Sequence, residues 1–106
     1  ASGVELARGY AAIDAEHPVR KATEDDFFAH LEHILKVVGP EHVAIGMDWD
    51  GGGGVEGHPD VSQLPRITAW LLRQGYSEQQ IAGIWGGNVL RVMAQVQDYA
   101  KAQAGK

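Results

Sequence analysis

His42-Val43-Ala44-Ile45-Gly46-Met47-Asp48-Trp49-Asp50-Gly51 is the stretch on which the fold turns. Residues 43–47 are apolar at successive positions rather than at alternate ones. A short run of that kind predicts a strand buried on both faces, as in a parallel sheet covered by helices. It leads into Asp48-Trp49-Asp50 and then four glycines at 51–54. That loop is too flexible to be an element and too long to be a simple turn. A carboxylate at the C-terminal end of a buried parallel strand stands where α/β barrels place catalytic groups. A glycine-rich loop beside it lets ligand approach the backbone closely. On residue chemistry alone, a solvated Asp-Gly turn explains the same residues equally well.

Working outward, helical patterns lie on both sides. Residues 4–16 read as a helix with Ala7, Tyr10 and Ala11 available for packing, ended by Pro18. Thr23-Glu24-Asp25-Asp26 is a start signal: the threonine can cap free N–H groups, and three carboxylates fall in the positive first turn. Phe27, Leu31, Ile34, Leu35 and Val38 form the apolar stripe of that helix, and Gly39-Pro40 stops it. After the glycine loop, a helix begins at Ser62 or Leu64, with Leu64, Ile67, Thr68 and Leu71 on one face and Pro65 tolerated in its first turn. Gly75 ends it. Ser77-Glu78-Gln79-Gln80 matches the capping-box pattern and opens a short helix through Ile81 and Ile84. Gly86-Gly87 is expected to break that helix and Asn88 to cap a last one, burying Val89, Val92, Met93, Val96 and Ala100.

One strand against four or five helices is an imbalance. A lone buried strand leaves N–H and C=O groups unpaired on both edges, at about 1–3 kcal/mol for each unsatisfied group. No second strand in the chain can pair with it. The expected fold class is therefore α/β: one strand at about 43–47 with flanking helices and terminal helices over about 62–102. All of 1–106 then forms one segment cut from a larger sheet and incomplete alone. No internal repeat is present.

Composition narrows the function classes. Nine basic and fourteen acidic residues give a net charge of −5, with no basic cluster able to track a phosphate backbone, so nucleic acid is not an expected partner. The absence of cysteine excludes disulfides and thiolate metal sites, and leaves the compartment open. No apolar stretch approaches a membrane span and no charged-then-apolar leader opens the chain, so a soluble segment is expected.

Several pieces in order then carry a resemblance. They are His30-Leu31-Glu32-His33-Ile34, Asp48-Trp49-Asp50-Gly51, Glu56-Gly57 with Asp60-Val61, Leu71-Leu72-Arg73-Gln74-Gly75-Tyr76-Ser77, and Gly86-Gly87-Asn88-Val89-Leu90-Arg91-Val92. Over residues 23–99 the chain resembles the C-terminal end of a membrane (renal) dipeptidase; before Thr23 it does so only loosely. The resemblance implies a (β/α)8 TIM-type barrel with two zinc ions, in which a metal-bridging water of lowered pKa attacks the peptide carbonyl of a dipeptide. It further implies that the carboxylate after the last barrel strand, here Asp48, lies by the metals and handles protons, with Asp50 and Gly51 shaping the loop around it. Met47 and Trp49 stand where many relatives carry a small residue and phenylalanine. The other metal ligands of the family, histidines, an aspartate and a bridging glutamate, have no counterpart here. A lone Asp48 cannot hold a zinc centre that needs about four ligands, so no complete metal site is expected in this chain.

The remaining candidates read more simply. His30 and His33 share neighbouring helix surface, yet ordinary surface histidines fit them better. His42 sits at the end of the strand remote from the site, His17 precedes a proline, and His58 is expected as an exposed loop histidine. Gly86-Gly87-Asn88 could bind an anion, but capping explains it. Trp70 and Trp85 read as packing residues. The expected function is zinc-dependent dipeptide hydrolysis, with the remainder of the barrel and a dipeptide as partners and a homodimer of the complete enzyme left open. The alternatives are a non-catalytic helical module acting through protein contacts, and an amidohydrolase of another small amide.

Overall fold

The computed structural model describes residues 2–58 and 60–106. Helix α1 spans Gly3–Glu16, its start closed by a capping box between Ser2 and Glu5. Helix α2 spans Glu24–Val38 and opens on a second box, in which Thr23 accepts from the Asp26 N–H and Asp26 accepts from the Thr23 N–H. Gly39, with φ of 84°, ends it in a conformation that favours glycine. Short 3₁₀ turns follow at Pro40–His42, Trp49–Gly51 and Val61–Gln63. Helix α3 is Pro65–Arg73, and α4, Glu78–Ala82, begins on the Ser77–Gln80 capping box expected from its residues. A π turn at Gly83–Gly87 leads directly into α5, Asn88–Ala104.

The expected strand is absent, and with it the α/β class: the regular structure of the described residues is all helical, with no strand. Residues 43–48 carry no helical structure, Val43 is extended (φ −116°, ψ 140°), and no described hydrogen bond engages the amides of residues 44–47. A ladder is a property of two segments, and this chain supplies only one. Burial along the segment alternates instead of covering both faces. Val43 is buried and Ile45 and Met47 are packed against the core, whereas Ala44 and Gly46 are exposed. An apolar run thus sits with one face on helices and the other open.

The core gathers Phe28, Leu31 and Leu35 of α2, Val43, Ile67 and Leu71 of α3, and Ile81 and Ile84 of the α4–π turn. Phe28 joins Leu31 and Leu35 as the inward face of α2, while Ile34 and Val38 of the expected stripe are exposed. Phe28 stacks on Trp70 at 4.9 Å, and the Trp85 indole donates to Thr68 at 2.8 Å, which makes both tryptophans packing residues.

Two expectations fail around Asn88. The helix does not break at Gly86-Gly87: Gly87 and Asn88 are both right-handed helical, and the chain runs through a π turn instead. Nor does the Asn88 side chain cap α5. It is buried and donates to the Pro40 and Val43 carbonyls, at 2.8 Å each, tying the extended segment to α5. A Cβ at Gly83 would lie 2.9 Å from Asn88 Oδ1, so the glycine makes room for this side chain. Arg91 completes the tie by donating to Asn88 Oδ1 at 3.1 Å and to the Glu41 carbonyl at 2.6 Å. The residues expected to bury the face of α5, Val89, Val92, Met93 and Val96, are about half exposed or more, at 53%, 49%, 51% and 60%.

Candidate functional site

Asp48 ends the extended run and turns the chain. Its backbone is left-handed (φ 54°, ψ 37°), the one non-glycine described residue with positive φ. Such a conformation costs an L-residue about 1–2 kcal/mol, and aspartate is among the few types that adopt it. The turn is held from within: the Asp48 carbonyl accepts from the Gly51 N–H at 3.0 Å and the Gly53 N–H at 2.8 Å. A Cβ at Gly51 would collide with both carboxylate oxygens of Asp48, and one at Gly53 would lie 2.5 Å from the Met47 carbonyl. Glycine at 51 therefore lets the loop fold against the carboxylate, and Asp48 remains exposed. Asp50 is exposed within the 3₁₀ turn, one residue before Gly51.

The far end of the loop returns to α2. Trp49, half-buried, donates its indole N–H to the His58 carbonyl at 3.0 Å, and the Glu56 N–H donates to the Ala22 carbonyl at 3.1 Å. Lys21, Ala22, Trp49, Gly53–Val55, Glu56 and His58 line a cavity of about 410 Å³ between the loop and the start of α2.

His58, expected as an exposed loop residue, is completely buried. Its ring lies 5.9 Å from Phe27 and 6.2 Å from Phe28, centre to centre. Its Nδ1 is 3.6 Å from Glu24 Oε2, and Glu24 Oε1 accepts from Arg66 at 2.8 Å. Glu24 Oε2 and both ring nitrogens have no hydrogen-bond partner among the described residues. Three elements meet here: the first turn of α2, the loop end and the first turn of α3. No local pattern announced this cluster, because Glu24 and Arg66 lie 42 positions apart. The other histidines stay outside it. His30 and His33 are exposed on α2, His17 follows α1, and His42 sits 3.8 Å from Glu41 on the surface.

The zinc centre that the resemblance implies needs about four converging ligands. Among the described residues no three His, Asp or Glu side chains come together. The donor set of this chain does not fit such a centre by itself.

Comparison with known proteins gives this geometry its context. The family model for membrane dipeptidases (peptidase family M19) matches residues 4–106, so the likeness extends well before Thr23. Dipeptidase ataJ of Aspergillus terreus (strain NIH 2624 / FGSC A1156) is 47% identical over 72 residues, which is 67% of this chain and 18% of the relative. Dipeptidase 3 of Rattus norvegicus is 40% identical over 78 residues, 73% of this chain and 16% of the relative. The crystal structure of the probable dipeptidase PvdM from Pseudomonas aeruginosa aligns with a TM-score of 0.67 at 42% identity, over 73% of this chain and 19% of that one. The chain thus spans about a fifth of the length of the proteins it matches. On a match running from residue 4 to residue 106, the chain belongs to the membrane dipeptidase family, peptidase family M19.

Proposed function

We propose that the chain is the C-terminal segment of a zinc-dependent dipeptidase, and that it contributes Asp48 to hydrolysis of the peptide bond. The observation that carries this reading is the family match over residues 4–106, with Asp48 held exposed at a glycine-lined turn. The proposed task of the carboxylate is proton handling: it takes a proton from the attacking water as the C–O bond forms. It then returns the proton to the leaving nitrogen as the C–N bond breaks. When bound, the two zinc ions would supply Lewis acidity and a nucleophilic water at neutral pH. Their ligands would come from the remaining four fifths of a family-length protein, as would most of the wall around a dipeptide. Asp50 and Gly51 would shape the turn, Gly51 by leaving room for the Asp48 carboxylate.

The test is turnover of a panel of free dipeptides by the complete protein. Asp48→Asn keeps shape and removes the proton acceptor; turnover should fall by about 10²-fold or more with metal content retained. Asp50→Asn should be milder. Near-normal turnover of Asp48→Asn beside a folded but inactive Asp50→Asn would overturn the assignment.

A second reading, a helical module acting through protein contacts, is favoured by the apolar residues left open on α1 and α5. Leu6, Tyr10 and Ile13 on α1 and Val92, Met93 and Val96 on α5 are all exposed. A complete protein that binds its partners yet hydrolyses no dipeptide would decide for it.

A further inference from the structure

We infer that His58 and Glu24 form a positioning relay for Asp48: the contact between the buried imidazole and the Glu24 carboxylate anchors the loop whose other end carries the Asp48 side chain. The role assigned to Asp48 rests on the dipeptidase reading; the mechanical coupling does not. The contacts run in sequence from Arg66 to Asp48. Arg66 holds Glu24 Oε1 at 2.8 Å, which aims Glu24 Oε2 at His58 Nδ1, 3.6 Å away. The His58 carbonyl accepts the Trp49 indole N–H at 3.0 Å, and Trp49 directly follows Asp48. The Asp48 carbonyl in turn gathers the Gly51 and Gly53 amides.

Chemistry, not packing, selects these residue types. A side chain wedged beside Phe27 and Phe28 with no exposure would be served best by an apolar residue. An imidazole there carries two buried nitrogens without hydrogen bonds, a cost that packing alone does not explain, and one of them faces Glu24 Oε2 at 3.6 Å. Gly57, at φ of 90°, brings the loop backbone onto Glu24: a Cβ there would sit 3.2 Å from Glu24 Oε2. The loop is thus seated on the carboxylate at two successive positions. A left-handed Asp48 followed by a glycine run has little intrinsic preference for one conformation, and persists where its surroundings determine it.

Hydrogen exchange followed by NMR on the complete protein, labelled in this segment, tests the coupling without turnover. Glu24→Gln keeps the shape of Glu24 but removes its charge, and His58→Phe keeps an aromatic ring while removing the nitrogens. Each should speed exchange of the Trp49 indole proton and the Gly51 and Gly53 amides by about tenfold or more, while the Trp85 indole bonded to Thr68 stays protected. Unchanged exchange at Trp49 in both variants overturns the inference, because a merely space-filling role predicts that result. Equal loss at Trp85 also overturns it, since the pair would then support the fold at large. So does a Trp49 indole that is already unprotected in the unsubstituted chain. In the complete protein Glu24→Gln should lower kcat with KM retained. If Asp48→Asn proved fully active while the exchange result held, the dipeptidase reading would fall and the relay would stand.

Discussion

Asn88 places one amide group against two backbone carbonyls, Pro40 and Val43, and its own oxygen against Arg91. Removing the side chain orphans both carbonyls, one of them in a fully buried pair. Asn88→Ala should therefore cost about 2–4 kcal/mol, read as a lower urea midpoint with unchanged slope. Asn88→Asp should also destabilise, because a carboxylate cannot donate to a carbonyl. The asparagine was legible as a special residue from Gly86-Gly87-Asn88, but its job was not. A cap and a tie to a distant segment use the same amide, and only the partners 45 and 48 positions away distinguish them. Asp48 was legible as the first polar residue after an apolar run; its left-handed backbone was not, since a run of four glycines admits many turns. The burial of His58 is not legible locally either, because it depends on residues of α2.

At the scale of elements, helix starts were readable because caps act over three residues. Thr23 and Ser77 both close the boxes their sequences imply. The structure adds Arg20, which grips Asp26 through two hydrogen bonds of 2.9 and 3.1 Å. The Arg20 guanidinium, and then the Thr23 backbone N–H, hold the Asp26 carboxyl well below the usual carboxylate range. Because the folded value lies below the unfolded one of about 3.9, the contribution is fully present above that pH and is lost as pH falls toward the folded value. Thermal unfolding followed by circular dichroism should show it. Acidification from about pH 5 to about pH 2 should lower the Tm of the unsubstituted chain more than that of Asp26→Asn. Residues 43–47 differ: five successive apolar residues specify an extended path, but a ladder requires a second segment.

The whole molecule is open. Its radius of gyration is 19.2 Å, against about 13 Å for a compact domain of this length. Every described residue of α1 is exposed, and the apolar face of α5 meets no core. Hydrogen exchange on the isolated chain should accordingly find the amides of residues 44–47 unprotected, while the amides around Ile67 and Leu71 in α3 exchange slowest. Strong protection at 44–47 in a proven monomer would contradict the structure. By itself the sequence determined what depends on neighbours in the chain: the helix starts at Thr23 and Ser77, the stop at Gly39, the packing face of α3, and the motif order that placed the chain in its family. Only the tertiary structure decided whether the apolar run would pair, which face of α5 would be covered, and that Glu24, His58 and Arg66 would meet. Caps and helical faces are settled within a few residues by backbone hydrogen bonding. Pairing, burial and side-chain clusters depend on groups far apart in the chain, whose encounter no local pattern encodes.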